Sequence, residues 1–205
     1  NYERERRLIE NELIMKNDIK EEKIKYLQAK INPHFLFNSL NAAAQLAMME
    51  GAENTCLFVQ NMADFFRYNV RKMEKDTTLK EELELVDNYI YILNVRFAGE
   101  IHYTKQIDER VTGTMMPSMI LQPLIENAVN HGIRELQGEG KIHLSVYSDD
   151  SMVCVKVEDN GVGIEPEVIE KIMRGESAHS HSQRDSAGIG MDNVINRLKR
   201  YYNME

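Results

Sequence analysis

Four polar side chains, His34, Asn38, Asn41 and Gln45, recur at spacings of four, three and four residues in the run HFLFNSLNAAAQLAMME. At about 3.6 residues per turn they form one stripe on a helix that is otherwise almost wholly apolar. Histidine on such a stripe is expected to face solvent, with Phe35, Leu36, Phe37 and Leu40 turned inwards. A neutral imidazole nitrogen is an adequate nucleophile near neutral pH, so His34 is a candidate for covalent chemistry. Asn38 stands one turn further on and could reach a group bound to that ring. Its amide can hold a water by hydrogen bonds without taking the water's proton.

A second set of polar residues lies far along the chain, in three separated segments. The run ILQPLIENAVNHG carries Glu126, Asn127, Asn130 and His131; DNGVGI holds Asp159; and GIG opens the last apolar stretch. Glycines let backbone N–H groups approach an anion closely, and a helix amino end adds partial positive charge, so phosphate is the natural guest. Asp159, at the end of a strand, can accept a hydrogen bond from an exocyclic amine, and Asn127 supplies the hard oxygen that Mg²⁺ prefers.

The elements that must position these groups follow from periodicity. Before the His34 run, residues 1–26 are rich in charge, with Leu8, Met15, Ile19 and Tyr26 and then Ile24, Leu27 and Ile31 at helix-pair spacing; a coiled-coil helix is expected there. Pro33 interrupts it. Gly51 to Thr55 reads as a turn, and CLFVQNMADFFRYNVRKM as a helix returning antiparallel to the first. Thr78 with Glu81 forms a capping box, opening a third helix whose seam runs through Leu79, Leu83, Val86, Ile90, Leu93 and Phe97.

Beyond Gly99 the pattern changes to IHYTKQID as a strand, PSMILQPLIENAVNHG as a helix closed by Gly132, and KIHLSVYSD with MVCVKVED as an antiparallel pair. Pro166 opens another helix, GESAHSHSQRDSAG reads as a polar lid, and GIGMDNVINRLKRYY as a final helix. The fold expected is α+β: a coiled-coil helix over 1–26, a helical unit over 27–98 and an α/β sandwich over 99–205. His179 and His181 in the lid lack a third ligand and read as loop residues.

Composition excludes several classes. A net charge of −8 argues against a nucleic-acid binder. Two cysteines, Cys56 and Cys154, suit a reducing compartment better than a disulfide framework. No window approaches the roughly 20 apolar residues of a membrane span.

The order and spacing of the three polar segments resemble the asparagine box and two glycine boxes of the ATP-binding fold shared by histidine kinases, DNA gyrase, the Hsp90 chaperones and MutL. This resemblance covers about the last hundred residues. It implies a Bergerat-type domain binding ATP and Mg²⁺. Asn127 would be the metal ligand and Asp159 the adenine reader. Gly161 and Gly163 would floor the base pocket, Gly188 and Gly190 would lie at the phosphates, and Asn130 and His131 near the ribose and phosphates. INPHFLFNSLN, Arg67, Tyr68, NYIYILNVRF and QPLIENAVNHGI are similar to the sensor histidine kinase family of the LytS/YesM type, from about residue 27 onwards. That likeness implies His34 as phosphoacceptor in a homodimeric helical bundle, and transfer to the receiver domain of a response regulator. It also implies a cytoplasmic portion of a plasma-membrane sensor, with membrane contact only through upstream segments.

Many histidine kinases place an acidic residue directly after the phosphorylated histidine, where this chain has Phe35. Glu126 is therefore the candidate base, with a purely structural carboxylate as the alternative. The rival function is an ATP-driven conformational clamp leaving no phosphoprotein. It calls for a carboxylate one turn before Asn127, where Pro123 stands. A nucleotide-sensing dimerisation module without catalysis is a second rival.

Overall fold

The computed structural model describes residues 32–71, 76–133, 136, 139–150, 152–173 and 186–203. The expected coiled coil over 1–26 and the lid histidines lie outside the described residues.

The first two helices form a hairpin. In α1 (Pro33–Met49), Asn32 caps the amino end by accepting from the Phe35 N–H at 3.2 Å, and Pro33 occupies the first turn, where no N–H is needed. Gly51, at φ 72°, turns the chain into α2 (Glu53–Arg71). Small side chains, Ala44, Ala47 and Cys56, are buried where the two helices meet. The expectation that Phe35, Leu36, Phe37 and Leu40 are buried is corrected. Phe35 is 69% exposed and the other three are half-buried, because one neighbouring helix can cover only one face of α1.

A short strand β1 (Asp76–Thr78) leads into α3 (Leu79–Arg96), which starts on the expected capping box of Thr78 and Glu81. After β2 (Ile101–Ile107), a single 3₁₀ turn and β3 (Met115–Pro117) precede α4 (Leu121–Asn127). The helix expected from Pro117 therefore begins four residues later. Pro117 pairs with Asp76 in a two-stranded antiparallel ladder of β1 and β3. The main sheet has the order β2-β4-β5, from β4 (Gly140–Asp149) parallel to β2 and antiparallel to β5 (Met152–Asp159). Ile142, Leu144 and Val146 of β4 are buried, as their alternation requires. The helices α5 (Pro166–Met173) and α6 (Ser186–Tyr202) complete the described chain.

One core joins the seam of α3, the inner face of the sheet, α4 and Val194 of α6. Within it sits a carboxylate. Glu82 is 0% exposed, and its Oε2 accepts from the N–H groups of Ile120 and Leu121, each at 2.9 Å. Its Oε1 accepts from the Met119 N–H at 2.7 Å and the Tyr68 hydroxyl at 2.6 Å. A buried charge is tolerated only when its lone pairs are used this fully, and the amino end of α4 adds a favourable dipole. Arg197 of α6 fixes the same segment from the other side, donating to the Ser118 carbonyl at 2.6 Å. None of the described helices is long and apolar enough to cross a membrane.

Removing the carboxylate would leave buried N–H groups unsatisfied. Glu82→Ala is expected to lower stability by about 3–5 kcal/mol, a fall in melting temperature of about 10 °C. Thermal unfolding followed by circular dichroism checks this, and a change under about 2 °C would deny Glu82 its capping role.

Candidate active site

Four of the expected site residues arise from one irregular helix. After Asn127 the α-helical ladder of α4 widens into a π turn over Ala128–Ile133, a form that occurs often at functional sites. Glu126 and Asn127 are half-buried and Asn130 is exposed; His131 is described by its backbone alone. Gln122, one turn before Glu126, donates from Nε2 to Glu126 Oε1 at 2.7 Å. Gln122 is only 6% exposed, and its own carbonyl oxygen has no hydrogen-bond partner among the described residues. The pair fixes one oxygen of Glu126 and leaves the other without a protein hydrogen bond among the described residues.

The π turn lands on the loop after β5. A Cβ on Gly132 would lie 2.5 Å from Asp159 Oδ1, and one on Gly161 would lie 2.2 Å from the carbonyl carbon of Gly132. At Gly161 backbone meets backbone, so only glycine fits there; a side chain at Gly132 would instead have to displace the Asp159 carboxylate. Val162 N–H adds a long bond to the Gly132 carbonyl at 3.3 Å. Asp159 Oδ1 accepts from the Gly161 N–H at 2.8 Å, which leaves Oδ2 with acceptor capacity for an amine. Asn160 holds the loop to β4, accepting from the Lys141 N–H at 2.7 Å and donating to the Glu139 carbonyl at 2.9 Å. Gly163 differs: its φ of 77° demands glycine, while the space beside it is open. Glu126, Asn127, Asn130, Asp159, Gly161 and Gly163 thus share one region, whereas Gly188 and Gly190 are the third and fifth residues of α6.

His34 is exposed, and its ring faces the Asn38 amide, with Nδ2 3.3 Å from Nδ1 and 3.5 Å from Nε2. The structure does not bring this pair to the other residues. Instead α1 packs on α2, α2 on α3 and α3 on α4. Along that path Phe65 stacks on Tyr89 with ring centres 5.5 Å apart. Burial, reinforced by the nearby Glu126 charge and opposed by Arg96, pushes the Tyr89 hydroxyl up to about 12. Arg67 pairs with Asp64 at 2.7 Å and lies over the Phe37 ring; Arg96 lies over Phe97. Sequence reasoning missed Glu82, Gln122, Gly132 and Asn160 as parts of the site's scaffold.

A family model described as histidine kinase matches residues 22–101, and one described as histidine kinase-, DNA gyrase B- and HSP90-like ATPase matches residues 116–204. The sensor histidine kinase YpdA of Escherichia coli is 36% identical over 180 residues, 87% of this chain and 30% of that protein. The sensor histidine kinase YesM of Bacillus subtilis is 30% identical over 190 residues, covering 93% of this chain and 30% of that protein. The sensor protein LytS of the same organism is 32% identical over 181 residues, 88% of this chain and 30% of its own length. The chain belongs to the sensor histidine kinase family.

The two matches side by side make it a histidine kinase core, a helical region followed by a Bergerat-type ATP-binding domain, and not the clamp that shares only the second part. The core spans about 30% of the length of these relatives. An ATPase domain of this family uses ATP. Among the described residues no cluster of three or more His, Cys, Asp or Glu side chains could hold a metal alone. Asn127 carries an amide oxygen of the hard kind that Mg²⁺ accepts.

Losing the charged acceptor in Asp159→Asn is expected to weaken ATP binding by about 1.5–3 kcal/mol, roughly ten- to a hundredfold. Gly161→Ala should weaken it at least about tenfold by forcing the loop off Gly132. Calorimetric titration with ATP measures both, and affinities equal to that of the unaltered chain would detach this loop from the nucleotide.

Proposed function

We propose that this kinase core transfers the γ-phosphoryl group of Mg-ATP to His34 and then to an aspartate in the receiver domain of a response regulator. The observation that carries the reading is one chain holding both an exposed histidine with an amide at its ring and a glycine-packed loop against the Glu126–Asn127 helix. A lone-pair nitrogen of His34 attacks phosphorus, the bond from phosphorus to the bridging oxygen of ADP breaks, and ADP leaves with that electron pair. The Asn38 amide lies beside both ring nitrogens, 3.3 Å from Nδ1 and 3.5 Å from Nε2, where it can steady the imidazole. The remaining ring proton departs to a base after attack. Glu126 is the candidate, with one oxygen steadied by Gln122. Mg²⁺, when bound, neutralises charge on the phosphates.

Asp159 reads the adenine amine in this account. Gly161 and Gly163 floor the base, Asn130 and His131 lie toward the ribose and phosphates, and Gly188 and Gly190 reach the phosphates. His34 must come to the nucleotide by a shift of the hairpin or from a second protomer. A homodimer is supported by exposed Phe35, Leu46, Met48, Met49 and Leu57, an apolar surface that a bundle of two hairpins would cover. The division at 98/99 belongs to this reading, with α3 sharing its core with the later strands. The core works on the cytoplasmic side of a plasma-membrane sensor, where ATP is available; the free thiols Cys56 and Cys154 suit a reducing compartment.

Incubation with γ-labelled ATP should give a label that is lost in acid and survives alkali, and His34→Gln should abolish it while ATP binding persists. Acid-labile label retained on that variant would remove His34 as acceptor. Asn38→Ala, one turn along the stripe, should leave His34 labelling unchanged while slowing dephosphorylation of the cognate regulator; an unaltered dephosphorylation rate would deny Asn38 the positioning of a hydrolytic water.

A further inference from the structure

We propose that the Tyr68 hydroxyl, acting through the buried carboxylate of Glu82, positions the helix carrying Glu126 and Asn127, so that the seating of the hairpin sets whether this helix is held for phosphoryl transfer. The proposal rests on the reading that α4 serves the nucleotide.

Tyr68 belongs to α2 of the hairpin, Glu82 to α3, and the three N–H groups of Met119, Ile120 and Leu121 to the start of α4. One carboxylate therefore ties three elements. Its Oε1 is shared between the hairpin and α4, accepting from Tyr68 at 2.6 Å and from Met119 at 2.7 Å. Burial, and after it the hydrogen bond to Glu82, holds the Tyr68 hydroxyl in its protonated, donating form. A carboxylate with no exposure cannot replace a lost donor with bulk water. If α2 shifts and takes Tyr68 with it, Glu82 must turn toward other donors, and its grip on the α4 segment changes.

The segment it grips can respond. Met119 sits at φ 61°, in the left-handed region that costs a non-glycine residue of order 1–3 kcal/mol and persists only where neighbours enforce it. Its N–H bond to Glu82 is one enforcing contact, and the Arg197 bond to the preceding carbonyl of Ser118 is another. Weakening the first lets Met119 relax and α4 rotate at its amino end, one turn before Glu126. A second contact runs the same way. Phe65 of α2 stacks on Tyr89 of α3, whose hydroxyl lies in the field of Glu126. Hairpin and nucleotide helix are thereby coupled, and by linkage nucleotide bound at α4 must alter the hairpin in return.

Tyr68→Phe removes the hydroxyl, with its bond to Glu82 and its 3.1 Å contact to Thr77 Oγ1, and keeps the ring. In the unaltered full chain, a non-hydrolysable ATP analogue with Mg²⁺ is expected to change amide hydrogen exchange within residues 53–71. In Tyr68→Phe that change should be lost while analogue affinity, by calorimetry, stays within about threefold. At saturating ATP the rate of His34 labelling should fall at least about tenfold, a loss in kcat with KM retained. Exchange in α2 that responds equally in both proteins, or in neither, overturns the coupling. Parallel losses of analogue affinity and melting temperature overturn it too, since they mark Tyr68 as a structural contact only. A chain that binds the analogue but labels no histidine defeats the phosphotransfer reading instead, and the exchange comparison still decides the coupling.

Discussion

A single buried carboxylate organises the start of the helix that carries Glu126 and Asn127. Glu82 accepts from three consecutive backbone N–H groups and a tyrosine hydroxyl, so the amino end of α4 cannot drift without leaving charge or N–H groups stranded in the core. Everything expected of α4 depends on that anchor: the Gln122–Glu126 pair, the exposure of Asn130 and the π turn that carries Gly132 onto the Asp159 loop. Paired hydrophobic groups could fill the same space, but they would not fix three amides in register. The cost of burying a carboxylate is offset here by direction, which hydrophobic packing lacks.

The opposite end of α4 is fixed by absence of volume. Gly132 and Gly161 touch backbone to backbone, and the carboxylate of Asp159 lies against the first of them. A helix held by charge at its start and by shape at its end presents Glu126 and Asn127 from a rigid support, while the imidazole of His34 sits on a separate, exposed hairpin. Positioning and charge neutralisation supply most of the catalysis of phosphoryl transfer, so a firmly held helix suits the role proposed for Glu126 and Asn127.

Much of this was legible in the residues. The Thr78–Glu81 capping box and the α3 seam to Leu93 needed only local rules, and the alternation of Ile142, Leu144 and Val146 named the buried face of β4. Of the residues expected at a nucleotide, Asp159 and Gly161 lie against Gly132, just past the helix that carries Glu126 and Asn127. Glu82 was hidden because an acidic residue in a first turn ordinarily caps in water; the usable signal was its place on the buried seam, three after Leu79 and four before Val86. Gly132 read as a helix terminator because its reason for being glycine lies 27 residues away, in the Asp159 carboxylate that a Cβ there would strike. Ladders of three residues such as β1 and β3 carry too little pattern to see. Phe35 read as core because periodicity reports an apolar face without saying what covers it.

The central claim is covalent, and peptide mapping by mass spectrometry after incubation with Mg-ATP, kept at neutral to alkaline pH throughout, tests it most directly. The account requires one added phosphate on the peptide containing His34, localised to the imidazole. Phosphate found on a serine, threonine or aspartate instead, or ATP consumed with no phosphopeptide, would contradict it.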